Sequence, residues 1–600
     1  MAQLIADRRD IDFVLHEQLN VEALSEHKRF NEFGKKTVDL IVSEARNLAI
    51  KEILPLQKPS DTGCEFNNGT VKVPEGFHRV MKAYNEGEWL AMTDDPEWGG
   101  QGMPKTVAMA ANEYFYGACN SFMLYNLLTH GASKLVETFG TPEQKNLHLK
   151  NMLSGKWAGT MLLTESDAGS DLAGITTMAK DNGDGTYSLE GNKIFISGGE
   201  QDLTENIVHP VLARLEDSPA GIKGISLFLV TKYRLNPDGT PGEFNNVVCT
   251  GIEEKMGLHG SATCSLELGG KGQCIGTLLG EKNKGMAAMF LMMNEARQMV
   301  GLQGQANASA AYMYALDYAR QRIQSKSLTA PAGTPPVAII NHPDVKRQLL
   351  MMKSWVEGMR SLVYYTGLCH DRLAIAADDS ERQFYSTLLE VLTPIIKGYI
   401  TDRAFDVCNH GVQIYGGYGF IEEFPVSQLL RDCRIFMLYE GTNGIQAMDL
   451  VGRKLGMHKG EPFIHFLGLI EKTITASREV KGLESLADSM QRFFTNYAEV
   501  AHEISARAAS GKVMEVFAFS HPFLEVSGDL TVAWMLLWRA SVAAPKLGKK
   551  KKDDAFYQGQ IQTARFFINN ILPVTEGRLN TIKQGDAVAA VMEDAQFGGK

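Results

Sequence analysis

The sequence has 600 residues, which is too long for a single hydrophobic core, so several domains are expected. Apolar residues make up 44% and charged residues 22%, values typical of a soluble globular protein. The net charge of -10 argues against a nucleic-acid partner, because binding a phosphate backbone needs an extended basic face, but a few arginines could still hold a phosphorylated small ligand.

The eight cysteines are scattered, with no C-x-x-C pair and no histidine at metal-ligand spacing. This pattern indicates free thiols in a reducing compartment and predicts no metal site. Residues 1–10 lack the apolar segment of a signal peptide, and the apolar run at 530–538 is too short to span a bilayer. The last four residues are not a peroxisomal signal. We therefore expect a cytoplasmic protein without stable membrane insertion.

The spacing of apolar residues changes twice along the chain. It is helical from about residue 10 to 150, notably in 33–53 and 106–139. From about 155 to 280 it follows a period of two, with short runs bounded by Gly, Pro and Asn at 187–190, 193–197, 211–215 and 225–230. Helical spacing returns at Gly285 and continues to Leu455, interrupted by the proline-rich stretch 330–336. The remainder, 457–600, is again helix-rich and carries a lysine run at 549–552.

Residues 164–171 combine small residues, hydroxyls and glycine just before the predicted sheet, which would let the backbone approach a flat polar ring. A solvated surface loop is the alternative. In the run 193–199, strand alternation would send Phe195 and Ser197 to one face and Ile196 to the other. An aromatic ring beside a hydroxyl suits packing against a planar ligand, although an ordinary core phenylalanine is also possible.

A long helical stretch, about 289–324, contains Arg297 and Arg322 on one predicted face, roughly 37 Å apart. Two arginines at that separation cannot serve one phosphate group, and a pair of solvated arginines is the alternative. Residues 413–420 are typical of a helix that ends at Gly416 and Gly417, leaving amides for an anion or a purine. A simple glycine C-cap would have the same sequence.

Residues 439–442, Tyr-Glu-Gly-Thr, place a carboxylate where the chain turns into a helix. Gly441 permits the bend, and Thr442 is a good N-cap for a helix over 443–454. The run 434–438 is expected to be buried and to desolvate Glu440, so we expect a raised pKa and the function of a general base. An ordinary loop glutamate is the alternative for this tetrapeptide alone.

Four motifs in order, at 163–171, 193–199, 413–420 and 439–442, resemble those of the acyl-CoA dehydrogenase family of flavoenzymes. The resemblance covers roughly residues 80–455. The segment 457–600 and the loop 198–206 resemble the long form of the family, including the 3-methylmercaptopropionyl-CoA dehydrogenase group.

The resemblance implies an α+β fold with four domains. These are an N-terminal helical domain (1–158), a middle antiparallel β-domain (159–282), a helical bundle with the catalytic base (283–456) and an appended helical domain (457–600).

The resemblance also assigns roles to individual residues. Glu440 is the base, because Ala296 stands where some members carry the carboxylate and Glu295 is rotated by about 100° on the helix. The residues implied in FAD binding are Leu163, Thr164, Ser170, Phe195, Ser197, Arg322, Gln413, Gly416, Gly417 and Thr442. Those implied in acyl-CoA binding are Ser170, Asn294, Arg297, Tyr439 and Gly441. Many members carry tryptophan at the position of Phe195, so the ring contact is expected to differ here.

The implied reaction is α,β-dehydrogenation of an acyl-CoA to the trans-2-enoyl-CoA, as in fatty acid β-oxidation, with electrons passing to electron-transfer flavoprotein. The implied assembly is a homodimer or a dimer of dimers, with FAD completed across subunits. An acyl-CoA oxidase that uses oxygen and a catalytically silent acyl-CoA-binding protein are the alternatives. The appended domain is expected to pack on the catalytic core, with membrane docking through the lysine run as the alternative. The length of the acyl chain is not predicted.

Overall fold

The computed structural model describes residues 5–549 and 551–599, so Lys550 of the lysine run and the N-terminal residues 1–4 lie outside the described part. The chain forms two compact units. The sheet unit consists of Leu40–Met103 and Tyr114–Met299. The helical unit consists of Met1–Asp39, Pro104–Glu113 and Val300–Lys600. The eight cysteines all lie in the described part and are free.

The strands belong to the sheet unit. They are β1 Glu65–Asn67, β2 Thr70–Lys72, β3 Trp157–Gly159, β4 Met178–Asp181, β5 Thr186–Ser197, β6 Asn206–Leu215, β7 Ile225–Thr231, β8 Tyr233–Leu235, β9 Pro241–Phe244, β10 Val247–Ile252, β11 Thr263–Leu268 and β12 Cys274–Leu278. Eight of them form one sheet in the order β10-β11-β5-β12-β7-β6-β3, with β4 pairing with β5 and β6. The predicted period-two runs lie within β5, β6 and β7. The sheet is antiparallel except for the β3–β6 and β4–β6 pairs, which are parallel.

The helices are α1 Arg8–Asp12, α2 Lys35–Leu48, α3 Gln57–Ser60, α4 Phe77–Glu86, α5 Lys105–Ala118, α6 Asn120–Phe139, α7 Pro142–Leu153, α8 Gly285–Gln321, α9 Pro343–Ala374, α10 Asp379–Pro394, α11 Ile400–Tyr415, α12 Pro425–Cys433, α13 Asn443–Asp449, α14 Glu461–Arg478, α15 Glu484–Ala509, α16 Val513–Ala518, α17 Ser520–Ala543, α18 Asp554–Phe566, α19 Leu572–Gln584 and α20 Val588–Val591. Five-residue π-helical turns at Ile395–Tyr399 and Leu450–Lys454 adjoin α10, α11 and α13. None of the described helices is both long enough and apolar enough to cross a membrane.

The sheet unit has its main core where α6 packs on β3 and β6. Leu135 and Val136 of α6, Trp157 of β3 and Leu212 of β6 are all buried in one cluster. Met289, from the first turns of α8, completes that cluster. Leu163, one of the predicted flavin-binding residues, also belongs to this cluster.

The helical unit is built around α17, which is buried along most of its length. Gly358 of α9 lets α17 approach closely. A Cβ at this position would lie 2.6 Å from Cγ1 of Val532, so no residue other than glycine fits there. Helices α14, α18 and α19 also pack on α17. The predicted packing of the appended segment against the unit that contains Glu440 is therefore present.

A buried ionic network joins distant parts of the helical unit. Nη1 of Arg360 lies 2.5 Å from Oδ2 of Asp10, and Nη2 lies 2.5 Å from Oε1 of Glu113. Arg539 of α17 also pairs with Asp10. Burial alone would raise the pKa of Asp10, but the guanidinium groups of Arg539 and Arg360 lower it to about 2. The network ties the appended segment to the beginning of the chain.

Helix α8 begins at Gly285, as predicted, but it ends at Gln321. Arg322 therefore lies one residue beyond the helix, but its N–H still donates to the carbonyl of Tyr318 at 2.8 Å, as in an α-helix, so the shared face of Arg297 and Arg322 stays a prediction. The stretch 330–336 lies outside the helices, as predicted. The four-domain boundaries stay a prediction.

Candidate active site

The turn that carries Glu440 contains two consecutive residues in the left-handed region. Glu440 has φ +56° and Gly441 has φ +85°. Glycine adopts this conformation freely, whereas a glutamate there is uncommon, and such residues concentrate at functional sites. Oγ1 of Thr442 then accepts a hydrogen bond from the backbone N–H of Ile445 at 3.4 Å. The predicted bend and the predicted N-cap are both present.

The surroundings of Glu440 differ from the prediction. Within 434–438 only Phe436 is buried, and Leu438 is 47% exposed. The reason is that Arg434–Met437 forms a 3₁₀ turn, which directs one residue per turn to the core. Glu440 itself is half-buried. The expectation that this apolar run desolvates the carboxylate is therefore wrong for most of the run.

Tyr439 is fixed to the part of α8 that belongs to the helical unit. Its hydroxyl donates a hydrogen bond to Oε1 of Gln303, a residue with no exposed surface. Its ring also stacks on Phe436, with 6.1 Å between ring centroids. These contacts hold the residue that immediately precedes Glu440.

Asn443 was not identified from the sequence, yet its buried side chain makes several hydrogen bonds. Nδ2 donates to the carbonyl of Gly398 and to Oγ1 of Thr401, both at 2.9 Å, and to Oδ1 of Asp402 at 2.7 Å. Oδ1 accepts from Nζ of Lys397 at 2.8 Å. The partners lie about forty residues before Asn443, so no local pattern around Asn443 indicates these bonds. The only sequence signal for a buried polar contact was a lysine, Lys397, inside an apolar helical run.

In the sheet unit, Leu163 and Thr164 lie beside β5. Nζ of Lys193 donates to the carbonyl of Leu163 at 3.0 Å, and the N–H of Ile194 donates to the carbonyl of Thr164 at 3.0 Å. Phe195 follows directly on the strand. The structure therefore brings the predicted residues 163, 164, 195 and 197 together.

A β-bulge lies at the start of the stretch 195–197, although the exposed Phe195, the buried Ile196 and the half-buried Ser197 follow the predicted alternation. Phe195 has φ +59°, and the pairing of β5 with β11 shifts register here, so that residues 194 and 195 oppose Ser265 alone. This β-bulge interrupts the alternation between Lys193 and Ile196, which are both buried. Phe195 is 59% exposed, which excludes an ordinary core phenylalanine.

A buried ion pair supports the 163–165 segment and was not identified from the sequence. Nζ of Lys193 lies 2.9 Å from Oε1 of Glu165, and both residues are buried. Oγ1 and the N–H of Thr176 and Thr177 also donate to this carboxylate, at 2.6–3.0 Å. Burial alone would raise the pKa of Glu165, but the Lys193 charge and the Thr177 hydroxyl lower it to about 2.

The remaining predicted residues of the sheet unit lie on a loop and on α8. Ser170 is exposed, and the following Asp171 caps a short 3₁₀ turn. Asn294 is exposed, and its Oδ1 accepts from Nη1 of Arg297 at 3.3 Å. Arg297 is only 8% exposed, so it is not a solvated helix arginine. Ala296 is 5% exposed and offers no carboxylate.

In the helical unit, the predicted cofactor residues 322, 413, 416 and 417 are all exposed. Nη2 of Arg322 donates to Oε1 of Gln324 at 2.9 Å. Helix α11 ends at Tyr415, and Gly416 has φ +62°. A Cβ added at Gly416 or Gly417 would have no neighbouring atom within 4 Å. The predicted glycine end of the helix is present, and the space beside it is open.

These groups fit the FAD that the resemblance implies. In the sheet unit, the exposed ring of Phe195, the hydroxyl of Ser197 and the adjacent main chain of Thr164 offer a surface for a flat heteroaromatic ring. In the helical unit, the exposed guanidinium of Arg322 suits a diphosphate, and the open backbone at Gly416 suits a purine.

Family models match four consecutive parts of the chain. Residues 36–156 match the acyl-CoA dehydrogenase N-terminal domain, and residues 160–270 match the middle domain. Residues 283–455 match the acyl-CoA dehydrogenase C-terminal domain, and residues 466–593 match a domain described as acetyl-CoA dehydrogenase C-terminal like.

Relatives are similar along almost the whole chain. The 3-methylmercaptopropionyl-CoA dehydrogenase of Ruegeria pomeroyi is 39% identical, over 94% of this chain and 95% of the relative. A butyryl-CoA dehydrogenase of Syntrophomonas wolfei is 36% identical, over 98% of both chains. The crystal structure of an acyl-CoA dehydrogenase complexed with FAD, from Bacillus anthracis, has the same fold, with a TM-score of 0.73 at 22% identity over 95% of this chain and 91% of that one. The chain therefore belongs to the acyl-CoA dehydrogenase family, and its cofactor is FAD.

Proposed function

We propose that Glu440 of this acyl-CoA dehydrogenase removes the α-proton of the substrate and that the electrons pass to electron-transfer flavoprotein. The observation that supports this most strongly is the left-handed conformation of Glu440 on a turn held on both sides, by Tyr439 and by the Thr442 N-cap. A base must be held in place relative to the proton it takes, and this turn restricts Glu440 in that way. The alternative position on α8 carries Ala296 and cannot act as a base.

The α-carbon of a thioester is a weak acid in water, so the substrate carbonyl must be polarised while Glu440 takes the proton. We infer that the backbone N–H of Glu440 donates to that carbonyl oxygen, as in the family. Bound FAD supplies the acceptor for the β-hydrogen, which leaves as hydride. Arg297, buried on α8 and oriented by Asn294, is proposed to bind the CoA moiety.

The substrate is proposed to be a short linear acyl-CoA. Two of the relatives that match nearly the whole chain are named for 3-methylmercaptopropionyl-CoA and butyryl-CoA, both of which have short acyl groups. Another, from Mycobacterium tuberculosis, is named a broad-specificity linear acyl-CoA dehydrogenase. Purified protein should therefore reduce a dye acceptor fastest with short members of an acyl-CoA series. Highest activity with long-chain acyl-CoA would contradict this substrate proposal.

The proposed acceptor and the proposed reaction can be tested with the unmodified protein. Mixing it with butyryl-CoA without oxygen should bleach the visible flavin absorbance, and adding electron-transfer flavoprotein should restore it. Stoichiometric hydrogen peroxide under air would favour an acyl-CoA oxidase instead. Binding of acyl-CoA without bleaching would favour a catalytically silent protein.

The assembly is proposed to be a homo-oligomer, at least a dimer. Several apolar side chains near the open glycines and Arg322 are exposed, including Phe420 at 89%, Leu328 at 79% and Ile323 at 57%. Exposed apolar groups of this size next to a cofactor site favour a protein interface. We propose that this interface completes the FAD site of a neighbouring subunit.

A further inference from the structure

Helix α17 of the appended segment approaches the π-helical turn Ile395–Tyr399 through two glycines. A Cβ at Gly398 would lie 2.5 Å from Cδ2 of Leu524, and a Cβ at Gly528 would lie 2.0 Å from the ring of Tyr399. Both distances are shorter than real Cβ contacts, so α17 can lie this close only because both residues are glycine. The hydroxyl of Tyr399 also donates to Oδ1 of Asp529 at 2.6 Å. The turn and α17 therefore form one tightly packed body.

The same turn holds the residue that begins α13. The carbonyl of Gly398 accepts from Nδ2 of Asn443, and Nζ of Lys397 donates to Oδ1 of Asn443. Lys397 has no exposed surface, and Asn443 is 6% exposed. A buried side chain with these bonds is fixed in position and direction. The position of the turn therefore sets where α13 starts.

Helix α17 also contacts Asp402, another partner of Asn443. Nε2 of His521 lies 3.2 Å from Oδ2 of Asp402, whose other oxygen accepts from Asn443 at 2.7 Å. Side chains of α17 therefore lie against two of the four partners of Asn443, namely Gly398 and Asp402. It stands one residue after the Thr442 N-cap and three residues after Glu440.

We propose that α17 of the appended segment supports residues 439–442, the catalytic turn. Through Gly398 and Asp402 it fixes Asn443, and Asn443 is a positioning residue for Glu440. The proposal rests on the proposed role of Glu440 as the base. It gives the appended segment a function in the reaction without any contact with the substrate.

Two substitutions disturb this path at different points. Asn443→Ala removes the side chain that joins the π-helical turn Ile395–Tyr399 to α13. Gly398→Ala keeps the helical backbone but places a methyl group against Leu524, and Leu524→Ala in the same chain makes room for that methyl group. Gly468→Ala is the matched control, because Gly468 lies on α14 with no atom within 4 Å of an added Cβ.

The test has two measurements on FAD-loaded protein. Hydrogen exchange of peptides covering 436–446 reports how well ordered the catalytic turn is, and it needs no reaction. Stopped-flow flavin reduction at saturating butyryl-CoA reports whether Glu440 is correctly positioned. Asn443→Ala and Gly398→Ala should accelerate exchange in 436–446 and slow reduction by between about 10-fold and about 100-fold, with acyl-CoA affinity little changed. The Gly398→Ala/Leu524→Ala double variant should regain part of the protection from exchange and part of the reduction rate.

Unchanged exchange in 436–446 for both single variants would overturn the proposal, as would a double variant no better than Gly398→Ala. Faster exchange with wild-type reduction rates would show that Asn443 and Gly398 order the catalytic turn but do not position Glu440 for the reaction. That result would also overturn the proposal. Unmodified protein that binds butyryl-CoA without flavin reduction would instead contradict the proposed function, and the exchange comparison would still decide whether α17 supports the turn. If Gly398→Ala fails to fold, Asn443→Ala still decides the positioning role.

Discussion

Lys193 is a buried ammonium group that holds the main chain on which the flavin is proposed to lie. It contacts the carbonyl of Leu163 and the carboxylate of Glu165, and burial lowers its pKa to about 8. At pH 7 the pair is therefore charged on both sides. Removing one partner leaves the other charge buried, which costs far more than the net contribution of the intact pair.

Glu165→Gln should destabilise the protein by about 3 kcal/mol and reduce the FAD content, because Lys193 loses its counter-charge and the 163–165 segment loses its anchor. Chemical denaturation and the ratio of flavin to protein absorbance measure the two effects. Glu190→Gln is the control, because Glu190 is an exposed glutamate on β5, the strand of Lys193, and it should change neither the stability nor the FAD content. Wild-type stability of Glu165→Gln would show that the pair does not support this segment.

His148 gives a pH dependence with a defined sign. The ring is buried, and burial lowers its pKa from 6.5 to about 4. As the pH falls below 6.5 the unfolded chain gains a proton that the folded chain does not accept until about pH 4, so stability is lost between these values. The loss from this group is about 3 kcal/mol. His148→Gln should flatten the stability profile between pH 6.5 and 4, measured by urea unfolding, and an unchanged slope would contradict the assignment.

At the scale of elements, the segment that follows α8 carries the proposed diphosphate contact. Arg322→Ala should lose FAD and weaken the oligomer together, because cofactor and neighbouring subunit stabilise each other by linkage. Light scattering coupled to size-exclusion chromatography, with absorbance at the flavin band, follows both. Arg492→Ala, an exposed arginine of α15, should leave both unchanged. A monomeric variant with full FAD content would be inconsistent with the shared site.

The order of elements and the sharp features of the catalytic turn could be predicted from the sequence, because they depend on local spacing and on local chemistry. The start of α8 at Gly285 and the N-cap at Thr442 are examples. The bulge at Phe195 could not be predicted from the sequence. A period-two pattern assumes unbroken pairing, whereas the register shift that makes the bulge depends on the partner strand β11.

The exposure of Leu438 and the bonds of Asn443 could not be predicted for a related reason. Whether an apolar run is buried depends on which elements cover it, and no local pattern records that. The partners of Asn443 come from residues 397–402, which are far from it in the sequence. Tertiary contacts of this kind decide the geometry of the site.

At the scale of the whole molecule, the appended segment is part of the helical unit. Helix α17 is buried, and Arg539 enters the ionic network with Asp10. Ending the chain after residue 456 should therefore give aggregated or FAD-poor protein, because it exposes the face that α17 covers and leaves buried charges without counter-charges.

Ending the chain after residue 586 is the control, since it removes only the exposed terminal part around α20. Size-exclusion chromatography and FAD content compare the two truncations. A soluble, fully active chain ending at 456 would refute the packing role. Strong liposome binding that disappears when lysines 549–552 are neutralised would favour the membrane alternative.

The central claim is that Glu440 takes the α-proton, and single-turnover flavin reduction of Glu440→Gln tests it most directly. The variant should keep its yellow FAD and bind acyl-CoA, because the amide preserves the shape of the side chain, but reduction by butyryl-CoA should be slower by several orders of magnitude. Glu471→Gln, an exposed glutamate of α14, should reduce at the wild-type rate. Reduction of Glu440→Gln at a rate close to that of the wild type would contradict the account.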